Sequence, residues 1–422
     1  MKQSIMVKRP AWKVIACILA FPVVYMSACL AQSTNWPGFR GQGNSKTHWD
    51  KLPLNWNEKE GIQWNTKVAG FGQSSPVIWN DHVYVTSIGG KTKESLFLDC
   101  IDLKSGKIIW HRSIDATETV KEVTKMISQG APTPVTGPNG IYVFFESGDL
   151  LAFDHDGKQL WTRKLTREFG QFKGGHGVGS SLVGIPGALV LLIDHDGPSY
   201  LLCVDRLTGK TRWKSARTPR VSWTTPLYLT YQEEEQIIIS SNGIIEGYHP
   251  LSGKRTWWFD DIQKNTVASP SSAQGLVVAA SSYPKQNLAI RLGGKGDITN
   301  THLEWRAKSV TSSFASPLIH KNLVYFINRA GTLQVQRLAD GTQCWEHKLP
   351  DGCWASPLAT NDHVYFFCKS GESIVIEASE IKPKIIAENK IAVAEGDKVY
   401  GYAVGENRLV MRTGMAITCI GK

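Results

Sequence analysis

Gly61-Ile62-Gln63-Trp64 has the form of a closing strand, yet it stands before any opening strand has appeared. Downstream the same ending recurs behind a glycine turn. Asp102-Leu103-Lys104-Ser105-Gly106-Lys107 leads to Trp110, Asp154-His155-Asp156-Gly157-Lys158 to Trp161, and Asp205-Arg206-Leu207-Thr208-Gly209-Lys210 to Trp213. The unit returns at Leu251-Ser252-Gly253-Lys254 before Trp257, loosely before Trp305, and at Ala339-Asp340-Gly341-Thr342 before Trp345. Glycine takes the positive-φ turn position and aspartate bonds the turn backbone, so the motif is structural in origin. At its far end the chain stops at Ile417-Thr418-Cys419-Ile420, a third strand with no fourth behind it. The orphan around Trp64 supplies the strand that the last unit lacks.

Working outward, eight apolar, β-rich runs appear: His82–Val85, Ile141–Phe145, Leu189–Ile193, Ile237–Ile239, Leu276–Ala279, Leu323–Ile327, Val364–Phe367 and Leu409–Met411. They lie roughly 47 residues apart on average, the length of one four-stranded unit. Each is preceded by a short strand opening on a small residue, usually with proline: Ser75-Pro76, Thr133-Pro134, Ser180-Ser181, Thr225-Pro226, Ser269-Pro270, Ser316-Pro317, Ser356-Pro357 and, degenerately, Tyr402-Ala403. Proline at a strand's first residue costs no ladder hydrogen bond. The expected fold is all-β: a propeller of eight four-stranded antiparallel blades over residues 61–422, closed by its own two ends. Closure removes the edge strands that would template aggregation. The regular recurrence of Trp64, Trp110, Trp161, Trp213, Trp257, Trp305 and Trp345 predicts docking between blades rather than ligand stacking. Blade seven departs, with Ile385-Ile386 where tryptophan is expected.

Composition agrees with short strands and tight turns: 39 Gly, 15 Trp and 12 Tyr among 422 residues, with 20% charged. Residues 1–31 read as an export signal, with Lys2, Lys8, Arg9 and Lys13 ahead of the apolar run Val14–Met26 and small residues from Ser27 to Ala31. That run is short of the ~20 residues a membrane span needs. Cleavage after Ala31 gives a soluble product, whereas Met26-Ser27-Ala28-Cys29 is an imperfect lipobox that would leave a lipid on Cys29. The segment holds four positive charges and no acidic residue, so the formal +10 of the chain falls by four beyond it. No basic run is interleaved with aromatics, which argues against nucleic acid. Cys100, Cys203 and Cys419 share one repeat position, equivalent to Ala152, and read as small core residues too far apart to bridge. Cys344, Cys353 and Cys368 fall close together in sequence, and their pairing is left open. No Cys-x-x-Cys or His-rich metal spacing occurs.

The Ser-Pro opening, the Asp-x-x-(Ser/Thr)-Gly-Lys-x-x-Trp turn and the period together resemble the pyrroloquinoline-quinone (PQQ)-type propeller superfamily over about Gly61 to Gly421. Trp36-Pro37-Gly38-Phe39-Arg40-Gly41, within the lead-in 32–60, is similar to the Trp-Pro-x-Phe-Arg-Gly start of its secreted bacterial members. The resemblance implies two functions. One is a non-enzymatic binding or scaffold protein of the cell envelope, in the periplasm or at the outer membrane, monomeric, with a protein or envelope polymer as partner, as in the BamB-like assembly lipoprotein. The other is a dehydrogenase using PQQ and calcium. The scaffold reading is preferred, with no cofactor expected, because quinoprotein alcohol dehydrogenases carry a disulfide between neighbouring cysteines and no Cys-Cys pair occurs here. Soluble sugar dehydrogenases use different chemistry, so the enzyme reading stays open.

A site is expected at one mouth of the central channel, where loops after second strands and before first strands share a face. The former offer Glu146, Asp194-His195-Asp196, Asn242, Asn328-Arg329, Lys369 and Arg412. The latter offer Gln73, Gln129, the glycine-rich loop around His176, Arg220 with Trp223, and Trp354. Trp223 and Trp354 break the repeat's usual residue and could stack a ligand. With His176, Arg220, Arg329 and Lys369 they form the candidate binding set. Asp194-His195-Asp196 could face a cation, but adjacent polar loop residues are ordinarily solvated, and no metal ligand is assigned. Glu233-Glu234-Glu235 reads as a solvated tip on the opposite face.

Overall fold

A computed structural model describes Met1 and residues 35–119 and 128–421. The export signal, the lipobox ending at Cys29, and Cys17 lie outside the described residues.

Eight antiparallel sheets follow one another along the chain. The second strands of blades one to eight are His82–Gly89, Gly140–Phe144, Ala188–Ile193, Glu234–Ser241, Leu276–Ala279, Leu323–Ile327, His363–Phe367 and Arg408–Arg412. Seven blades take their four strands in sequence order. Blade eight takes three from the C-terminus and its fourth from Ile62–Lys67, which pairs antiparallel with Ala416–Ile420. Trp64 stands opposite Cys419 in that register, as the two unpaired ends of the sequence required. Blade four carries one addition, Gly296–Asp297, parallel to Arg255–Phe259. Glu234 and Glu235 belong to the second strand of that blade, so only Gln232 and Glu233, both at positive φ, make the turn.

Blades are held together through their tryptophans. Cys100, Cys203, Cys419 and Ala152 each face a fourth-strand tryptophan, a position where a small side chain leaves room for the indole. The indole N–H then crosses to the next blade: Trp64 donates to Leu103 O at 3.0 Å, Trp110 to His155 O at 2.9 Å, Trp161 to Arg206 O at 3.1 Å, Trp213 to Pro250 O at 2.8 Å, Trp305 to Leu338 O at 2.7 Å and Trp345 to Ser379 O at 2.7 Å. The turn glycine permits this approach, since a Cβ on Gly106 would lie 2.5 Å from the Trp64 ring.

Two departures have one cause. Trp257 faces blade five, whose third and fourth strands are joined by the longer excursion 292–302 in place of the short glycine turn; its indole folds back onto its own blade and donates to Gln236 Oε1 at 2.8 Å. Blade seven faces blade eight, whose third and fourth strands are the two ends of the propeller with no turn between them. The register corrects the sequence reading by one residue: Ala387, opposite Val375, stands at the tryptophan position rather than Ile385 or Ile386, and an indole there would have no turn to dock on.

The lead-in runs across the central channel. Trp36 exchanges backbone hydrogen bonds with Ile78 in blade one, Thr136 N–H of blade two donates to Pro37 O at 2.8 Å, and Ser45 and Thr47 bond Ala359 of blade seven. Between them Arg40, 3% exposed, donates to Pro270 O at 3.1 Å and Pro317 O at 3.4 Å on blades five and six, and to the hydroxyls of Ser45 and Ser271. Reaching first strands on opposite sides of the ring requires crossing its middle, so this segment closes the channel.

Candidate functional site

Above the lead-in lies a cavity of about 440 Å³, with Phe39 among its lining residues. The size falls within the range of small-ligand sites. Two rings of equivalent residues build its wall. The lower ring is the small residue that opens each first strand. Ser75 N–H donates to Thr133 Oγ1 at 3.0 Å, Thr133 N–H to Ser181 Oγ at 3.0 Å, Ser181 N–H to Thr225 Oγ1 at 3.1 Å and Thr225 N–H to Ser269 Oγ at 2.9 Å. Ser269 and Ser316 continue it to Ser316 and Ser356 at 3.0 and 3.1 Å. These hydroxyls are thus a belt linking blades one to seven around the channel, a role the sequence pattern alone did not reveal. The belt ends at blade eight, where Gly401 takes the position and offers no hydroxyl; the next residue, Tyr402, donates to Pro357 O at 3.0 Å.

The upper ring is the residue two places earlier in blades one to seven, Gln73, Ala131, Gly179, Trp223, Val267, Phe314 and Trp354, completed by Tyr400 of blade eight; all line the cavity. Blades one to three contribute small or polar side chains, and blades four to eight a nearly continuous aromatic face. Phe314 stacks on Trp354 at 4.6 Å and 18°, and Trp354 meets Tyr400 edge-on at 5.5 Å. Trp223 is fixed from the other side by donating its N–H to Gly177 O at 2.9 Å, with His176 edge-on at 5.9 Å. Packed this way, the indoles present preformed faces with little rotamer freedom left to lose on binding.

Two cations stand at the mouth, near one carboxylate, Asp397, whose oxygens accept the Lys398 and Gly414 backbone N–H groups. The Arg329 guanidinium lies 5.8 Å from the Phe314 ring centre and the Lys398 ammonium 5.3 Å from that of Trp354. Neither is ion-paired among the described residues, and no aspartate or glutamate there lines the cavity. Burial pushes the Tyr400 hydroxyl up to about 12, so it remains a neutral donor.

Of the six residues singled out from sequence, the cavity brings together Trp223, Trp354, His176 and Arg329, along with Gln73. Arg220 and Lys369 are not among its lining residues. Arg220 bonds the carbonyls of Thr218 and Asn242 at 3.3 and 3.4 Å, and Lys369 pairs with Asp351 at 2.8 Å, contributing to hold that carboxyl below its usual range against the opposing effect of burial. The remaining candidates are framework. Asp194 is engaged by Arg217 at 2.9 Å and by Ser241 at 2.5 Å, and His195 Nδ1 accepts the N–H groups of Lys173 and Gly197. Glu146 pairs with Lys93 at 3.2 Å and lines a separate cavity of about 210 Å³. Arg412 is fully buried, bonding Ser74 Oγ at 3.0 Å and Thr86 O at 2.6 Å. Among the described residues, no cluster of three or more His, Cys, Asp or Glu is placed to hold a metal ion. Phe314, Tyr400 and Lys398 were not singled out from sequence, although a fixed offset of two from the Ser-Pro position would have found Phe314.

Comparison with known proteins agrees with this architecture. A family model described as outer membrane protein assembly factor BamB matches residues 54–174 and 146–382. No curated protein sequence matches the chain. Among solved structures, BamB from Moraxella catarrhalis superposes with a TM-score of 0.59 at 14% identity, covering 85% of this chain and 98% of that one. Quinohemoprotein alcohol dehydrogenase from Comamonas testosteroni gives 0.63 at 11% identity, covering 94% and 82%. A europium-containing methanol dehydrogenase gives 0.57 at 11% identity, covering 90% of each chain. At such identities the superpositions speak to the fold alone. The eight-bladed propeller, docked at six of its seams by tryptophan, and the family model matched over most of the chain together place this protein in the family of outer membrane protein assembly factor BamB.

Proposed function

We propose that this protein is a non-enzymatic binding propeller of the bacterial cell envelope, exported by its N-terminal signal, and that it receives a protein partner at the channel mouth. One observation carries the reading. The cavity offers stacked aromatic faces, hydroxyls and unpaired cations, with no carboxylate among its described lining residues. Such a wall suits an apolar or aromatic side chain presented beside negative charge. Arg329 and Lys398 favour the anionic partner over a neutral one.

The same lining argues against dehydrogenase chemistry through PQQ and calcium. Calcium takes six to eight oxygen ligands, commonly with carboxylates among them. Four of the cavity's hydroxyls, those of Thr133, Ser181, Thr225 and Ser269, already accept backbone N–H groups in the belt, and the Arg329 guanidinium repels a cation. A carboxylate base is likewise missing from the described lining. The residues present do not fit the calcium-assisted site, and no step is routed through it.

Two measurements test the reading. Purified protein mixed with PQQ, calcium and an artificial electron acceptor should retain no quinone and show no substrate-dependent reduction; retention with turnover would move the protein to the enzyme class. Crosslinking from the channel mouth in the native envelope should recover one defined partner. Trp354→Ala or Trp223→Ala should weaken that capture at least tenfold, as loss of a central aromatic anchor does. Unchanged capture would remove the cavity as the docking point.

A further inference from the structure

Cys353 and Cys368 lie side by side in the core of blade seven, 3% and 0% exposed, with their sulfurs 4.0 Å apart. Both are thiols in this structure. The Lys369 N–H donates to Gly352 O at 2.9 Å. That bond ties the residue after Cys368 to the residue before Cys353, so the two backbones run beside each other at the cysteines. Sulfurs 4.0 Å apart need approach by only about 2 Å to reach the ~2.05 Å of an S–S bond. The third nearby cysteine does not compete, since Cys344 sits in blade six with its sulfur 3.8 Å from Thr342 O. Cys100, Cys203 and Cys419 occupy separate blades opposite their tryptophans.

We propose that Cys353 and Cys368 are a disulfide-forming site whose oxidation ties the cavity wall carrying Trp354 to the strand His363–Phe367. The oxidant is a disulfide of another protein or of a small thiol. Cys368, as the thiolate, attacks one sulfur of that disulfide and expels the other as a thiol; Cys353 then attacks Cys368 in the mixed disulfide and releases the second thiol. The two cysteines together lose two electrons and two protons, and the oxidant takes up both. Cys368 suits the attacking role because the Cys353 S–H donates to it, which lowers its pKa and raises that of Cys353. Burial of both sulfurs means that exchange waits on an outward excursion of the segment around Gly352. Once formed, the bond fixes the residue immediately before Trp354 and so limits the movement of the indole that stacks on Phe314.

The test is made on the wild-type chain, so it does not depend on a variant folding. The protein is reduced with dithiothreitol, one half is incubated with oxidised glutathione, and both halves are denatured in iodoacetamide and digested. The oxidised half should yield one Cys353–Cys368 crosslinked peptide with Cys100, Cys203, Cys344 and Cys419 alkylated, and the reduced half should be alkylated at all six. Backbone exchange at Trp354 and Ala355 should slow several-fold on oxidation. Full alkylation of Cys353 and Cys368 in the oxidised half, or a crosslink to Cys344, would overturn the proposal. Unchanged exchange at Trp354 would overturn its link to the cavity wall.

Discussion

Arg40 is a buried cation with no carboxylate beside it, and burial alone holds its pKa down to about 10. Such a group is tolerated only when its donors are filled, and here four oxygens from three parts of the chain fill them. Arg40→Met should therefore lower unfolding free energy by about 2 kcal/mol in urea titration, because the Pro270 carbonyl is left without a partner while Pro317 O keeps only the Ser271 hydroxyl. Arg40→Lys should recover less than half of that, since one ammonium cannot span both carbonyls. A neutral result for Arg40→Met would mean that the plug contributes nothing to holding blades five and six. The belt has a comparable sensitive point at Gly401. A Cβ there would press on the Ser75 side chain and come 2.9 Å from its Cα. Gly401→Ser should destabilise by about 2 kcal/mol as overpacking does, with partial rescue by Ser75→Gly in a double-mutant cycle. Additive costs would show that the two positions do not meet.

Among the elements, the strand Ile62–Lys67 matters beyond its six residues because it supplies the fourth strand of the last blade and so carries the sheet hydrogen bonds that close the ring. Trp64 secures it twice, through the bond to Leu103 O and through contact with Gly106. Trp64→Ala should cost about 3 to 5 kcal/mol, the usual range for removing a buried aromatic. It should also uncouple the closure: in hydrogen exchange, Ile62–Lys67 and Ala416–Ile420 are expected to lose protection together and before blades two to six. Loss of protection spread evenly over all blades would contradict a seam at blade eight. Trp257→Ala is the informative contrast. Its indole bonds within its own blade, so its removal should lower stability without loosening the contact between blades four and five at the turn.

For the whole molecule, acid sensitivity follows from His320, buried on blade six between the lead-in and blade seven. Desolvation, then the charges of Lys46 and Lys321, push its pKa down to about 4, with only Asp362 and a backbone bond opposing. The unfolded chain takes up this proton near pH 6.5, whereas the folded one resists until about 4. Stability from this group is present above about pH 6.5 and is lost as the pH falls from there to 4, by roughly 2 kcal/mol. His195, also shifted downward by burial, acts in the same direction. The melting temperature of His320→Gln should accordingly vary less between pH 7 and pH 4.5 than that of the wild type; an identical pH slope would remove His320 as a source. At this scale, too, the limits of reading the chain are plain. The turn Asp102–Lys107 and the strand ending at Trp110 are fixed by bonds between near neighbours, and repetition multiplies that local signal until the number of blades can be counted. Even the missing tryptophan of blade seven is visible, though neither its position, Ala387 rather than Ile385-Ile386, nor its reason is, because the reason is a turn missing from the adjoining blade. The sequence by itself determined the eight blades and their seam at Trp64 and Cys419, since both follow from a short-range pattern repeated and counted along the chain. Only the tertiary structure decided that Phe314, Trp354 and Tyr400 form one wall, that Arg220 and Lys369 stand outside it, and that Arg40 closes the channel beneath. Those depend on which side chains a closed ring brings around a single point, and that distance is not encoded in the spacing of residues along the chain.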